Sequence, residues 1–314
     1  MVRREEVLVE RPDLAPTWAQ ADAAFPVRVT RAVWEAMDPA DPDDPIARQV
    51  LPDPRELDAD PADLADPVGD AACSPVPWVV HKYPRRVLWL LTKRCHVYCR
   101  YCFRRGHAPG AQWDPSPEEW EAAAAYIAAA DVEEVILSGG DPLVLKDAPL
   151  FAAIDRVGAG RVIRIHTRAP ITFPERVTDA LVQGLLARRP VWVVVHSNHP
   201  AEWTPQVDAA LSRLVDAGLP VLNQAVLLRG VNDRVEVLAE LSEGMVRRGV
   251  FPYYLHLTDR AVGNAHLRVP LSEARVLHDA LRQRVSGVAL PKLMVDPPDG
   301  SGKVDAAAGT GYEE

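Results

Sequence analysis

From residue 85 onward the chain repeats one pattern: a short apolar, β-branched run, then an amphipathic helical stretch. The runs are Val87–Thr92, Glu134–Ser138, Arg161–Thr167, Val191–His196, Val221–Leu228 and Tyr253–Thr258. Helical stretches fall near 117–130, 149–157, 175–188, 204–217, 233–248 and 271–285. The runs are almost continuously apolar, as strands buried on both faces are. Strands that alternate with helices over short loops form right-handed βαβ units. Six such units predict an α/β fold, a partial (β/α)6 barrel, with a flat doubly wound sheet as the alternative. A barrel places reactive residues just after the C-terminal ends of its strands. Here the cysteines follow the first run, Ser138-Gly139-Gly140-Asp141 the second, His166 and Arg168 the third, His196 the fourth and Asp259 the sixth.

Residues 1–82 read differently. Short helical pieces at 15–24 and 29–37 are broken by prolines, and an Asp- and Pro-rich connector spans 38–70. The expected division is an N-terminal helical subdomain with its connector (1–82), the barrel (83–287) and a C-terminal segment (288–314). The net charge of −9 argues against nucleic acid as a partner. No apolar run reaches the 18 or so residues of a membrane span. The start of the chain lacks a signal-peptide core, and Cys73 has no near neighbour to pair with, so a reducing, cytoplasmic setting is expected.

Three of the four cysteines lie together, as Cys95, Cys99 and Cys102. A disulfide framework uses pairs, and structural zinc takes four ligands. Three close thiolates can instead hold three irons of a [4Fe–4S] cluster, leaving the fourth open to another ligand. The alternative is a zinc knuckle completed by His96 or His107, although C-x3-C-x2-C is not a common zinc spacing. The second signal is Asp296-Pro-Pro-Asp-Gly-Ser-Gly-Lys303. Lysine is scarce, with five residues in the chain, and here one sits among glycines that let backbone approach a bulky ligand. Such a lysine can form a Schiff base with pyridoxal phosphate (PLP), or it can be an exposed loop residue.

The cysteine run resembles that of the radical S-adenosylmethionine (SAM) superfamily. Taken with the lysine loop, the chain resembles the lysine 2,3-aminomutase family, radical SAM enzymes that also use PLP. The resemblance runs through Phe25–Thr30, Ser74–Pro77, His81–Leu88, the cysteine loop, Ser138–Pro142, Asn198–Pro200, Asn223–Asp233, Pro252–Leu255 and the lysine loop. It implies that Cys95, Cys99 and Cys102 hold the cluster and that SAM binds the open iron. Ser138, Gly139, Gly140 and Asp141 then contact SAM, and Lys303 carries PLP. Lys82, Tyr83, Arg86 and Gln224 line the PLP site, with Arg86 at the phosphate. The resemblance further implies that Arg104 pairs with the substrate's α-carboxylate, while Asp259 and Asp296 bind the ε-ammonium of lysine.

Two departures stand out. Lys82 occupies a position where lysine aminomutases often carry arginine, and Arg234 stands where longer members have a further cysteine. The chain is short like the group that supplies β-lysine for elongation factor P, yet it keeps the Asp-x-Pro pattern of the other group. The expected activity is conversion of L-lysine to β-lysine, supplied by an external electron donor, in an enzyme that could be a homo-oligomer. The same chemistry on arginine or another cationic amino acid, or a non-catalytic iron–sulfur protein, are the alternatives.

Overall fold

The structure is a computed structural model that describes residues 1–105 and 112–307. One nine-stranded sheet organises it. The strands are β1 (Val79–Tyr83), β2 (Arg86–Thr92), β3 (Glu134–Gly139), β4 (Val162–Thr167), β5 (Val191–Val195), β6 (Val221–Val226), β7 (Phe251–His256), β8 (Lys292–Val295) and β9 (Val304–Asp305). Strands β2 to β8 pair in parallel, each with the next in sequence. β1 and β9 are antiparallel additions at the two edges. A doubly wound sheet reverses its strand order at a switch point. This order never reverses, so the architecture is the partial β/α barrel, open between β1 and β9 among the described residues.

Six helices cover the outside, one after each of β2 to β7: Pro117–Ala129, Asp147–Val157, Asp179–Leu186, Pro205–Asp216, Val235–Arg247 and Leu271–Arg284. Serine and threonine at the N-caps start several of them, with the Ser116 hydroxyl accepting from the Glu119 N–H and the Thr204 hydroxyl from the Val207 N–H. The sequence pattern missed β1, whose outer half is His81-Lys82, and β8, which is only four residues long. β8 makes a seventh parallel strand and carries the chain from the last outer helix to Asp296.

The period-two geometry of a strand divides its side chains between two worlds. Val87, Trp89, Leu91, Val135, Leu137, Ile163, Ile165, Val193 and Val195 point outward into one apolar core shared with the helices. Their alternates, among them Arg86, Ser138, Arg164, His166, Gln224 and His256, face a cavity inside the barrel. The interior is therefore an open chamber lined by polar and apolar side chains together rather than a packed centre.

A second, smaller core lies in the N-terminal region, built from Val7, Leu14, Trp18, Val33, Ile46, Val50 and neighbours. Val97 of the cysteine loop packs into it. Further ties come from Arg100, whose backbone N–H donates to the Gln49 carbonyl at 2.8 Å and whose guanidinium donates to the carbonyls of Phe25 and Pro26. The N-terminal region thus braces the loop that carries the three cysteines.

Candidate active site

All fifteen residues singled out from the sequence line one cavity at the C-terminal end of the parallel strands. They arrive from distant parts of the chain: the end of β1, the loop after β2, the turn after β3, the middle of β6, the loop after β7, and the segment after β8.

The cysteine loop and the turn after β3 are fitted to each other. Gly139 has φ of +128°, and a side chain there would run into the Thr92 carbonyl. A Cβ on Gly140 would fall 2.2 Å from the Arg94 carbonyl. Glycine is the residue that permits this approach of two backbones. The Gly140 and Asp141 N–H groups donate to the carbonyls of Thr92 and Arg94 at 2.6 and 2.8 Å. The Asp141 carboxylate is buried and fully engaged: it accepts from the Thr167 hydroxyl, the Arg168 N–H and the Leu143 N–H at 2.7–2.9 Å. It braces the turn, while the backbone of Gly139 and Gly140 forms the cavity wall.

Cys95, Cys99 and Cys102 all reach the cavity. Burial pushes the Cys102 thiol up to about 11, with Cys99 adding to it, and also raises the Cys95 thiol well above its ordinary value. Three thiols brought to one wall of the cavity are suited, as thiolates, to a cationic cluster of iron ions. Among the described residues no three His, Cys, Asp or Glu side chains converge as ligands of one metal ion. His96, the candidate fourth zinc ligand, is stacked on Phe173 at 4.5 Å and faces the Leu143 carbonyl. The other candidate, His107, lies outside the described residues.

Four residues here were not assigned a role from sequence. Arg168, buried at the end of β4, donates to the Cys99 sulfur at 2.7 Å and is held from behind by Gln49 and Glu202. His166, His196 and His256 form a buried group around Gln224, which lies 2.7 Å from the His256 ring. Burial lowers all three histidines, His196 to about 4, and the nearby Lys303 ammonium adds to it, so they are neutral near pH 7. His166 Nε2 and Gln224 Oε1 are buried without partners. Orphaned polar atoms facing a cavity fit a bound polar ring better than an apolar filling.

The lysine loop closes the cavity. Gly302 has φ of +93°, and a Cβ there would strike the Tyr83 ring. The Lys303 N–H donates to the Tyr83 hydroxyl oxygen at 2.6 Å. Arg86 lies over the same ring, 3.8 Å from its centre. Tyr83 thus fixes the lysine on one side and a cation on the other, a geometry suited to an aromatic phosphate ester joined to the lysine.

The charged side chains form one alternating series. Arg104 pairs with Asp70 at 2.9 Å, Asp70 with Lys82 at 2.9 Å, Lys82 lies 3.8 Å from Asp296, and Asp296 pairs with Lys303 at 2.7 Å. Lys82 also donates to the Val68 carbonyl at 2.5 Å. Asp259 faces the same space, and loss of water raises its carboxyl to about 7, with Lys303 pulling the other way and Asp296 adding to the rise. Asp70 was the residue sequence reading missed: it is one acid among many in the connector, and nothing local marks it. Its signal is a turn, in which the Asp66 carboxylate accepts from the Asp70 and Ala71 N–H groups and aims the next acid inward.

These features can be set beside known proteins. The radical SAM superfamily model matches residues 89–241, which run from within β2 through the cysteine loop and on past β6. The chain is 40% identical over 290 residues to L-lysine 2,3-aminomutase of Clostridium subterminale, covering 91% of this chain and 70% of that one. It is 44% identical over 268 residues to a putative L-lysine 2,3-aminomutase of Treponema pallidum, covering 84% and 75%. It is 40% identical over 279 residues to L-lysine 2,3-aminomutase of Escherichia coli, covering 87% and 81%. It spans 62% and 60% of the Fusobacterium nucleatum and Bacillus subtilis relatives. The model match implies SAM and an iron–sulfur cluster as cofactors, the role to which the three cavity cysteines are suited. An open parallel barrel, three thiols at its C-terminal mouth, and this degree of identity over nearly the whole chain lead to one conclusion: the chain belongs to the L-lysine 2,3-aminomutase family of radical SAM enzymes.

Proposed function

We propose that the protein converts L-lysine to β-lysine, shifting the amino group from carbon 2 to carbon 3, with PLP, SAM and a [4Fe–4S] cluster as cofactors. The observation that carries this reading is the single cavity in which an arginine, two carboxylates and a glycine-flanked lysine stand beside three cysteines. The reduced cluster with SAM supplies a 5′-deoxyadenosyl radical, and PLP supplies delocalisation of the substrate radical.

The protein's own residues bind, orient and shield. Cys95, Cys99 and Cys102 hold three irons, and Arg168 faces the Cys99 sulfur with a fixed positive charge. The Ser138–Asp141 turn offers its backbone to SAM, held rigid by the Asp141 contacts to Thr167 and Arg168. Lys303 carries PLP, with Arg86 and Lys82 as cations for its phosphate and Gln224 beside its ring. Arg104 takes the substrate α-carboxylate through its planar fork of donors. Asp259 and Asp296 take the distal ammonium, compensating its charge away from bulk water. Lys82, where relatives often have arginine, keeps the charge without the fork. An external one-electron donor completes the system.

A direct test uses anaerobic protein reconstituted with iron, sulfide and PLP, given SAM and a chemical reductant. With L-lysine and L-arginine in competition, β-lysine is the expected product. Conversion of arginine in preference would transfer the same chemistry to another substrate. Cluster absorbance without conversion of either amino acid would leave an iron–sulfur protein and defeat the proposal.

A further inference from the structure

The alternating series of charges has a property that a substrate site does not require. Both groups assigned to hold the two ends of the substrate are already paired, each with a group of the same chemistry as the end it would bind. Arg104, the carboxylate reader, holds a carboxylate, that of Asp70 at 2.9 Å. Asp296, a reader of the distal ammonium, holds an ammonium, that of Lys303 at 2.7 Å. Asp259, facing the same space, forms no ion pair among the described residues, and its carboxyl sits near 7.

We propose that Asp70 and Lys303 are built-in stand-ins for the two charged ends of the substrate: Asp70 occupies Arg104 and Lys303 occupies Asp296 until a ligand displaces each of them. This rests on the reading of Arg104 and Asp296 as substrate contacts. Three physical points carry it. The side chains are shielded but not sealed, with Arg104 at 17% exposure, Asp70 at 21%, Asp296 at 14% and Lys303 at 29%, so each pair can open toward the cavity. Each pair offsets the cost of holding a charge partly away from water. Burial by itself would raise the Asp70 carboxyl, but Arg104 and Lys82 outweigh it and hold it below its ordinary value, so it is a full anion on Arg104.

Exchange of like for like has a consequence for selectivity. A ligand with both a carboxylate and a distal cation restores both pairs that it opens. A ligand with one end restores one, and gains nothing at the other. The second displacement also couples the cofactor to the substrate, because Lys303 leaves Asp296 when it takes up PLP. Asp70 is free to move without unfolding its turn, since the backbone there is held by Asp66 rather than by the Asp70 carboxylate.

Binding to the cofactor-free full chain tests this, with L-lysine, hexanoate as the anionic end alone and pentylamine as the cationic end alone, read by calorimetry. Asp70→Asn is expected to tighten L-lysine and hexanoate by roughly tenfold and leave pentylamine unchanged; Lys303→Ala is expected to tighten L-lysine and pentylamine by roughly tenfold and leave hexanoate unchanged. Equal affinities in wild type and both variants, or gains that ignore which end the ligand carries, overturn the proposal. Circular dichroism checks each variant, and Asp70→Ser and Lys303→Met replace any that does not fold. Turnover of L-lysine by reconstituted wild type, run alongside, separates the two readings: turnover without the crossed pattern defeats the stand-ins alone, and no turnover together with no L-lysine binding in any of the proteins defeats the function on which they rest.

Discussion

Arg100, Arg104 and Arg105 lie within six residues of one loop, yet they have opposite fates. Arg100 and Arg105 converge on Glu56, which both contact through short ion pairs, and both also donate to backbone carbonyls. Arg100 is fully buried, and Glu56 is almost so. Burial alone would raise the Glu56 carboxyl, but the two guanidinium groups outweigh it and keep it ionised. Arg104, between them in sequence, faces the cavity, where it pairs with Asp70, reaches the Gly139 carbonyl at 3.5 Å and lies over the Phe103 ring. The first network is buried, and no atom of it is left without a partner among the buried polar groups of the described residues. The second is partly exposed, contains a 3.8 Å gap, and leaves Asp296 Oδ1 without a partner. A network with every bond made fixes a shape; one with bonds left over is prepared for a ligand. The same residue type in one loop does both jobs, and surroundings decide which.

The largest effect in the contrast belongs to the cavity. Lys303→Ala is expected to abolish turnover while leaving thermal stability and cluster absorbance near wild type, because its ammonium bonds to Asp296 at the partly exposed edge of the cavity. Loss of the cluster in that variant would place Lys303 in the structural network instead. On the structural side, Glu56→Gln strips the buried charge partner from two arginines and is expected to cost about 3–5 kcal/mol of stability, read by denaturant unfolding. Asp70→Asn, in the half-open network, is expected to cost less than about 1 kcal/mol in the same experiment. Comparable losses in the two variants would erase the distinction.

On the proposed reading, Asp296→Asn removes one charge-assisted contact to the distal ammonium. Such bonds contribute about 1.5–3 kcal/mol, so KM for L-lysine should rise roughly ten- to a hundredfold, more than kcat falls. Asp259 gives the smallest effect, and a pH-dependent one. Its carboxyl is neutral below about 7 and charged above it. L-lysine affinity should therefore rise as pH passes upward through about 7, and Asp259→Asn should flatten that rise. The same shift acts on stability with the opposite sign: the unfolded chain ionises this group first, so its contribution falls as pH rises from the ordinary Asp range to about 7 and is level beyond it.

Much of this was legible in the sequence because period and spacing are local. The six apolar runs and their helices gave the barrel, and strand ends gave the side of the barrel on which chemistry occurs. The cysteine run and the lysine loop each announce themselves within ten residues. The missed parts depend on contacts across the chain. β8 is four residues long and becomes a strand only against β7. Asp70 looks like every other acid in its connector until the turn at Asp66 aims it at Arg104. Arg104 and Arg100 cannot be told apart by composition; their separate roles come from Glu56 and Asp70, many residues earlier. His166 and His196 were visible as strand ends and His256 was not, while the neutral state of all three follows from burial beside Lys303.

The central claim is that this cavity moves nitrogen on a cationic amino acid whose two ends are read by Arg104 and by Asp259 with Asp296. The most direct measurement is nuclear magnetic resonance of L-lysine isotopically labelled at the α-nitrogen and at carbon 3, turned over by the anaerobic reconstituted enzyme. The account predicts that the labelled nitrogen becomes bonded to the labelled carbon, and that Asp296→Asn slows this at low lysine concentration. Cleavage of SAM to 5′-deoxyadenosine with the lysine nitrogen still on carbon 2 would contradict it.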